Sequence, residues 1–253
     1  MKGQYATDQG RVRNHNEDAG GIFKNNYNQY LSIVADGMGG HQAGDVASQM
    51  ATSIIEEKWQ ETDQISKPEE AEMWLKATIE QVNKEIYEKS IKEESCKGMG
   101  TTVVTVIHTQ DFVTVAHIGD SRCYLKNEAG FSQITEDHSL VNELVRSGQI
   151  SNEDAEHHPR KNVLLKALGT EEVIYPDIQT VTWETDNMIL LCSDGLSNKV
   201  SDSELQSFIT GDESLVDKVQ GLIALANERG GEDNISLVIV HHELLMEEGE
   251  KSC

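Results

Sequence analysis

Short apolar runs separated by turn residues alternate with longer amphipathic stretches along the chain. Runs rich in β-branched residues and bounded by polar turns predict strands over residues 5–10, 20–23, 30–35, 101–107, 112–118, 123–125, 131–134, 188–192 and 235–240. Apolar positions that recur about every 3.6 residues predict helices over 44–59, 68–91, 140–146, 202–209 and 214–227, with a short helix starting at Ser151. Strands and helices do not alternate as βαβ units, so the pattern indicates antiparallel sheets flanked by helices.

Acidic residues occupy the ends of several predicted strands. Asp36, Asp120 and Asp194 follow apolar runs, and Asp233 stands just before the last one. Each of them alone is typical of a turn, and the glycines from residue 37 onward predict a tight turn directly after Asp36. Strands that pair in one core would bring the four carboxylates to one edge, where cations must neutralise them. Ligands that are all oxygen atoms favour Mg²⁺ or Mn²⁺, and two such ions activate water and bind a phosphoryl group.

The composition of the chain limits the kinds of molecule that the protein is expected to bind. The net charge is -23, from 44 acidic and 21 basic residues, which argues against a nucleic-acid partner. Phosphate chemistry in such an acidic chain would need metal ions or a well-placed arginine. No apolar run is long enough to span a bilayer and no signal peptide is apparent, so we expect a cytoplasmic protein that is not bound to membranes. Four cysteines lie far apart, which predicts reduced thiols: Cys96, Cys123, Cys192 and Cys253.

Eight short motifs occur in order from residue 10 to residue 240. They are Arg13 with Asn16-Glu17-Asp18; Ala35-Asp36-Gly37-Met38-Gly39-Gly40-His41; Gly98-Met99-Gly100-Thr101-Thr102; Ile118-Gly119-Asp120-Ser121-Arg122; Asp137-His138-Ser139-Leu140; His158-Pro159-Arg160 with Asn162-Val163-Leu164; Ser193-Asp194-Gly195-Leu196; and Gly230-Gly231-Glu232-Asp233-Asn234. With this set, the chain resembles the metal-dependent Ser/Thr protein phosphatases of the PP2C (PPM) family, in their bacterial single-domain form.

The resemblance implies a fold and an activity. The fold is of the α+β class, an α-β-β-α sandwich of two antiparallel sheets flanked by helices. Residues 1–242 would form the catalytic domain, and residues 243–253 a flexible acidic tail. The reaction is hydrolysis of phosphoserine and phosphothreonine on proteins by direct attack of a metal-bridged hydroxide. Two Mn²⁺ or Mg²⁺ ions serve it, and a third, weaker ion site is described for bacterial members.

The resemblance also assigns the metal ligands. Asp36 would bridge the two ions, and the backbone carbonyl of Gly37 would bind one of them. Asp194 and Asp233 would complete the shell of the first ion. Asp120, together with Asp194, would form the third site.

Three further residues receive roles around the ions. Asp18 would hold a metal-bound water from the second shell. Arg13 would bind the substrate phosphate, for which a bidentate guanidinium is well suited. His41 would protonate the departing Ser or Thr oxygen.

Partners and alternatives follow from the same resemblance. Phosphorylated Ser/Thr proteins, including a cognate bacterial Ser/Thr kinase, are the expected partners of a monomeric enzyme. One alternative is a pseudophosphatase that binds phosphoproteins without turnover, and another is a phosphatase dedicated to a regulatory switch protein in sigma-factor control. The irregular segment 137–169, here called the flap, is expected to carry specificity. Relatives often have Thr and Arg where Leu165 and Lys166 follow the flap motif. The adjacent histidines at 157–158 and 241–242 are expected to be surface residues.

Overall fold

Buried β-branched runs form most of the strands. The computed structural model describes residues 1–39 and 43–243. The strands are β1 (Lys2–Asp8), β2 (Asp18–Lys24), β3 (Tyr30–Met38), β4 (Gly100–Thr101), β5 (Val103–His108), β6 (Phe112–Ile118), β7 (Arg122–Asn127), β8 (Gly130–Gln133), β9 (Asp177–Thr182), β10 (Met188–Cys192) and β11 (Ile235–His241). The helices are α1 (Ala43–Gln60), α2 (Pro68–Lys92), α3 (Leu140–Arg146), α4 (Asn152–Glu156), α5 (Asp194–Ser197), α6 (Asp202–Thr210) and α7 (Leu215–Glu228).

The strands assemble into two antiparallel sheets. Sheet I has the order β1-β11-β10-β7-β8, and sheet II has the order β2-β3-β5-β6-β9, with β4 paired to β3. Each strand pair is antiparallel. This arrangement agrees with the expectation that the sequence pattern raised, because short connections favour antiparallel neighbours.

Three apolar layers hold the sheets and helices together. Helices α1 and α2 pack on sheet II through residues such as Trp59, Ile79 and Ile33. A second layer joins α6 and α7 to sheet I. Between the sheets lies a third layer, which includes Val106 and Val238. Strands in the middle of the sandwich are buried on both faces, and this is why their sequences are continuous apolar runs rather than alternating ones.

Local sequence signals set several helix ends as predicted. Ser151 caps α4: its hydroxyl accepts a hydrogen bond from the Asp154 N–H, while the Asp154 side chain accepts one from the Ser151 N–H. Pro68 stands in the first turn of α2, where its missing N–H leaves no helical hydrogen bond unmade. These ends therefore follow from nearest-neighbour chemistry alone.

Two features of the fold differ from the sequence interpretation. Strand β9 was not predicted, because its exposed and half-buried residues alternate at a sheet edge, where it pairs only with β6. His242 was expected at the surface and is instead buried, with its ring stacked on Trp183 at a centroid distance of 5.1 Å. Of the expected tail, residues 243–253, all but Glu243 lie outside the described residues. None of the helices in residues 1–39 and 43–243 combines the length and apolar character needed to cross a bilayer.

A buried lysine closes the end of α6. The Lys218 side chain is 4% exposed, and its ammonium donates hydrogen bonds to the carbonyl oxygens of Phe208, Ile209 and Gly211 at 2.6, 3.2 and 2.7 Å. We expect Lys218→Met to lower the free energy of unfolding by ~1–3 kcal/mol, because these carbonyls lose a charged donor in a buried place. Urea denaturation measures the change. The control is Lys84→Met, whose side chain is 72% exposed; equal stability loss in both variants would contradict the prediction.

Candidate metal centre

Sheet II supplies two aspartates from neighbouring strands. Strands β2 and β3 run antiparallel, and their register places Asp18 opposite Asp36. Strand β3 does not end at Asp36: Gly37 and Met38 continue it and pair with β4. The predicted tight turn directly after Asp36 is therefore wrong. The pairing partner comes from a segment more than sixty residues later, which local turn chemistry cannot reveal.

Sheet I supplies two more aspartates to the same end of the sandwich. Asp194 begins α5 just after β10, and Asp233 stands just before β11, the strand next to β10. Asp120 lies in the connection from β6 of sheet II to β7 of sheet I. The carboxylates are close enough for the charges on Asp18, Asp194, Asp120 and Asp233 to act on Asp36. The structure thus brings together the aspartates that the sequence motifs selected.

Burial and mutual repulsion make ionisation of this cluster unfavourable. Burial raises the pKa of Asp36 well above its usual value, and the neighbouring carboxylates raise it further. Burial also raises the pKa of Asp18 to about 7. The pKa of Asp120 is raised to about 7 by burial and by the charge on Asp194. The pKa of Asp194 is raised by burial and by the charge on Asp233, although a hydrogen bond with Asp36 opposes these effects.

Two buried carboxylate oxygens in the cluster have no hydrogen-bond partner among the described residues. They are Oδ1 of Asp18 and Oδ1 of Asp194. Buried polar atoms in folded proteins are usually paired, so unpaired oxygens that converge on one place indicate a ligand that accepts their lone pairs. A donor set of carboxylate oxygens with a backbone carbonyl fits a hard divalent cation such as Mg²⁺ or Mn²⁺.

The backbone around Asp36 is held from both sides. The Asp36 N–H donates to Oγ1 of Thr102 at 3.0 Å, and its carbonyl oxygen accepts hydrogen bonds from the Thr102 N–H and from Oγ1 of Thr101, both at 2.9 Å. At Gly37, a Cβ atom would collide with the carbonyl oxygens of Gly44 and Glu17. The glycine is therefore required by close packing rather than by a turn.

Arg13 lies at the rim of the cluster. Its Nη2 atom is 2.7 Å from Oδ2 of Asp233, and its side chain is 45% exposed. The guanidinium is thus both anchored to one aspartate of the cluster and open to solvent. His41, the predicted proton donor, lies outside the described residues.

Comparison with known proteins now decides the family. The family model for protein phosphatase 2C matches residues 7–235. The chain belongs to the protein phosphatase 2C family. Serine/threonine phosphatase stp of Listeria monocytogenes is 49% identical over 244 residues, which is 96% of this chain and 97% of the relative. Protein phosphatase PhpP of Streptococcus pneumoniae is 40% identical over 92% of this chain and 94% of its own length.

Solved structures of similar proteins agree with the fold and the cofactor. Serine/threonine phosphatase Stp1 from Staphylococcus aureus has a TM-score of 0.91 at 37% identity, with 96% of each chain covered. The catalytic domain of the serine/threonine protein phosphatase PstP, in complex with two manganese ions, has a TM-score of 0.82 at 31% identity, covering 94% of this chain and 96% of that one. The α-β-β-α sandwich is confirmed, and the chain is a metal-dependent protein-serine/threonine phosphatase.

Sequence reasoning missed some residues that shape this phosphatase site. Thr102 belongs to the Gly-Thr-Thr motif, but its bond to the Asp36 backbone could not be read from the motif. Ser193 directly precedes Asp194, and its hydroxyl donates to Oδ2 of Asp18 at 2.9 Å. Its place in the Ser-Asp-Gly-Leu motif was a signal, but its bond to Asp18, 175 residues away, could not be read from the motif.

A second polar cluster lies beside the flap. Ligand atoms of His117, His138 and Asp177 lie within 4.8 Å of one another. The two imidazole rings stack with a centroid distance of 4.6 Å and an interplanar angle of 17°, so their in-plane lone pairs do not point at one ion. Nδ1 of His138 also accepts a hydrogen bond from the Gly119 N–H at 3.1 Å. The bond to Gly119 ties this cluster to the loop just before Asp120.

The raised pKa values predict how metal-free protein responds to pH. A carboxyl whose pKa is higher in the folded state contributes stability below its unfolded value of about 3.9. That stability is lost as the pH rises through the folded value, which is about 7 for Asp18 and Asp120. In chelator, we therefore expect Asp36→Asn to raise the Tm at pH 8 by ~2–4 °C or more, since it removes one buried charge.

Thermal unfolding followed by circular dichroism at pH 5 and pH 8 measures this effect. At pH 5 the difference from the native protein should shrink, because burial and the neighbouring carboxylates raise the pKa of Asp36 and lower pH favours its neutral form. Asp212→Asn is the control, since Asp212 is exposed. A lower Tm for Asp36→Asn at pH 8 would show that the cluster is not electrostatically strained.

Proposed function

We propose that Asp36, the Gly37 carbonyl, Asp194 and Asp233 hold two divalent ions, and that this centre hydrolyses phosphoserine and phosphothreonine on proteins. The observation that carries the proposal is the convergence of carboxylates from both sheets, with buried, unpaired oxygens on Asp18 and Asp194. When bound, the ions supply a water nucleophile of lowered pKa and stabilise the charge on the phosphoryl oxygens. Asp120, with Asp194, forms the third ion site.

The residues of the chain position the reactants. Asp18 orients water at the edge of the centre, and the hydroxyl of Ser193 fixes its carboxylate. Arg13 binds the substrate phosphate. A guanidinium has five N–H donors, so the contact with Asp233 leaves others to meet phosphate oxygens. His41 donates the proton that the departing Ser or Thr oxygen needs.

The same proposal covers the bounds of the catalytic domain and the location and partners of the enzyme. Residues 1–242 act as the catalytic domain, followed by the acidic segment 243–253. We infer a monomeric cytoplasmic enzyme that acts on phosphorylated proteins, including a cognate Ser/Thr kinase. The net charge of -23 supports protein rather than nucleic-acid partners. Similarity to the bacterial phosphatases Stp and PhpP supports the proposed action on phosphorylated proteins.

The first test removes the central carboxylate. With a phosphothreonine peptide and added Mn²⁺, we expect Asp36→Asn to lower kcat/KM by roughly 10³-fold or more, since the variant loses the carboxylate proposed to hold the ions that stabilise transition-state charge. Chelator should abolish the activity of the native protein. Release of inorganic phosphate measures both effects.

The exposed variant Asp212→Asn serves as the control and should keep native activity. Equal phosphate release by native protein, Asp36→Asn and chelated protein would contradict the metal mechanism. Metal-dependent binding of the peptide without release of phosphate would instead identify a pseudophosphatase.

The second test concerns phosphate recognition. We expect Arg13→Ala to raise KM for the phosphopeptide by about 10–100-fold, because a charge-assisted hydrogen bond contributes ~1.5–3 kcal/mol. Arg11→Ala is a matched control, since Arg11 is exposed on the same loop. Initial rates over a range of peptide concentrations separate KM from kcat. An unchanged KM in Arg13→Ala would show that another group binds the phosphate.

A further inference from the structure

The phosphate-binding arginine stands on an exposed loop. Residues 9–17 connect β1 to β2 without helix or strand, and residues 11–15 are all exposed. Such a segment has few apolar contacts of its own, so its conformation depends on the hydrogen bonds that tie it to the rest of the molecule. The position of the Arg13 side chain depends on those bonds in turn.

One buried side chain ties both ends of this loop. Asn234 is 3% exposed. Its Oδ1 atom accepts a hydrogen bond from the Glu17 N–H at 2.8 Å. Its Nδ2 group donates to the carbonyl oxygens of Gln9 and His15, at 2.8 and 3.0 Å. The amide thus uses one acceptor and two donors on three points of a single loop, which is nearly its full capacity.

The same turn also holds the head of the arginine. Asp233, which precedes Asn234, pairs with the Arg13 guanidinium. Beside it, the Arg11 N–H donates to the carbonyl oxygen of Gly231 at 2.7 Å. Residues 231–234 therefore fix the loop at its backbone and fix Arg13 at its tip. A side chain held at both ends loses little further entropy when it meets a phosphate.

The hydrogen bonds that begin at Asn234 continue towards the other sheet. The carbonyl oxygen of Glu17, whose N–H is bound by Asn234, accepts hydrogen bonds from the Gly37 N–H at 3.1 Å and from the Ser48 hydroxyl at 2.5 Å. A single run of hydrogen bonds therefore leads from the start of β11 to the backbone beside Asp36. Through these bonds, Asn234 fixes the position of loop 9–17 relative to both sheets.

We propose that Asn234 is a positioning residue for phosphate recognition: it locks loop 9–17 so that Arg13 is presented to the substrate. This inference rests on the proposed function of Arg13. Displacement of a binding group by about 1 Å can cost up to 100-fold in rate. Loss of the Asn234 hydrogen bonds should therefore change the measured kinetic constants.

The chain contains a matched control for removing a buried asparagine. Asn83, on α2, is 1% exposed. Its Oδ1 accepts from the Gly169 N–H at 2.8 Å, and its Nδ2 donates to the carbonyl oxygens of Glu171 and Glu172 at 3.0 and 3.3 Å. Asn83 has the same bonding pattern, but it holds a loop that lacks the proposed phosphate-binding group.

The experiment is a double-mutant cycle in the metal-loaded enzyme. We expect Asn234→Ala to raise KM for the phosphothreonine peptide about 10-fold, with a smaller change in kcat. In the Arg13→Ala background the same substitution should change KM less than about 2-fold, because residues that act through one another are not additive. Asn83→Ala should change KM less than about 2-fold in both backgrounds, because Asn83 holds the end of the flap and not loop 9–17.

Amide hydrogen exchange supplies a readout independent of activity. The Glu17 amide should exchange faster in Asn234→Ala than in Asn83→Ala, since only the former loses its acceptor. If Asn234→Ala does not fold, Asn234→Asp and Asn83→Asp form a second pair. Each keeps Oδ1 and loses two donors, and only Asn234→Asp should raise KM.

Three results would overturn the inference. These are fully additive effects of Arg13→Ala and Asn234→Ala on KM, an equal rise of KM in Asn83→Ala, and unchanged exchange of the Glu17 amide. An unchanged KM in Arg13→Ala itself would contradict the role proposed for that arginine. That outcome is distinct from an Arg13 effect to which Asn234 does not couple.

Discussion

Repulsion among closely grouped carboxylates is the constraint on which this structure depends. Asp18, Asp36, Asp120, Asp194 and Asp233 meet at one end of the sandwich, and burial raises the pKa of four of them. A protein gathers like charges in this way only if other parts of the fold offset the cost. Here the three apolar layers do so. They fix the strands that carry the carboxylates, and the divalent ions proposed for this site would offset the repulsion.

The buried strands and the exposed loops have different roles in this arrangement. The ligands stand at the ends of buried strands, and hydroxyl and amide side chains fix their backbone. Thr102 bonds the chain at Asp36, and Ser193 bonds Asp18. The flap and loop 9–17 are more exposed, and loop 9–17 carries Arg13, the residue proposed to bind the substrate phosphate. Chemistry is thus placed on the scaffold and recognition on its connections.

Most strands could be predicted from sequence because burial on both faces leaves continuous apolar runs. Strand β9 could not, since Gln179 and Thr180 interrupt its pattern at a sheet edge. The grouping of the aspartates could be predicted because an ordered series of motifs selects them, and the structure brings them together. The hydrogen bonds that hold the site in place could not be predicted, because they join distant segments. Asn234 bonds Glu17 across 217 residues, and Thr102 bonds Asp36 across 66. The glycine at 37 was misread as a turn, because the steric demand on it comes from Gly44 and Glu17.

The carboxylates come from both sheets, and this has a consequence for how the molecule opens. Neither half of the sandwich contains the whole ligand set: β2 and β3 carry Asp18 and Asp36, while β10 and β11 lead to Asp194 and Asp233. Ions held among these residues, as proposed, would contact both sheets at once. Because a ligand stabilises only states that can bind it, such ions would favour the docked sandwich over any state in which the sheets have parted. Metal binding and the association of the two sheets would then be thermodynamically coupled.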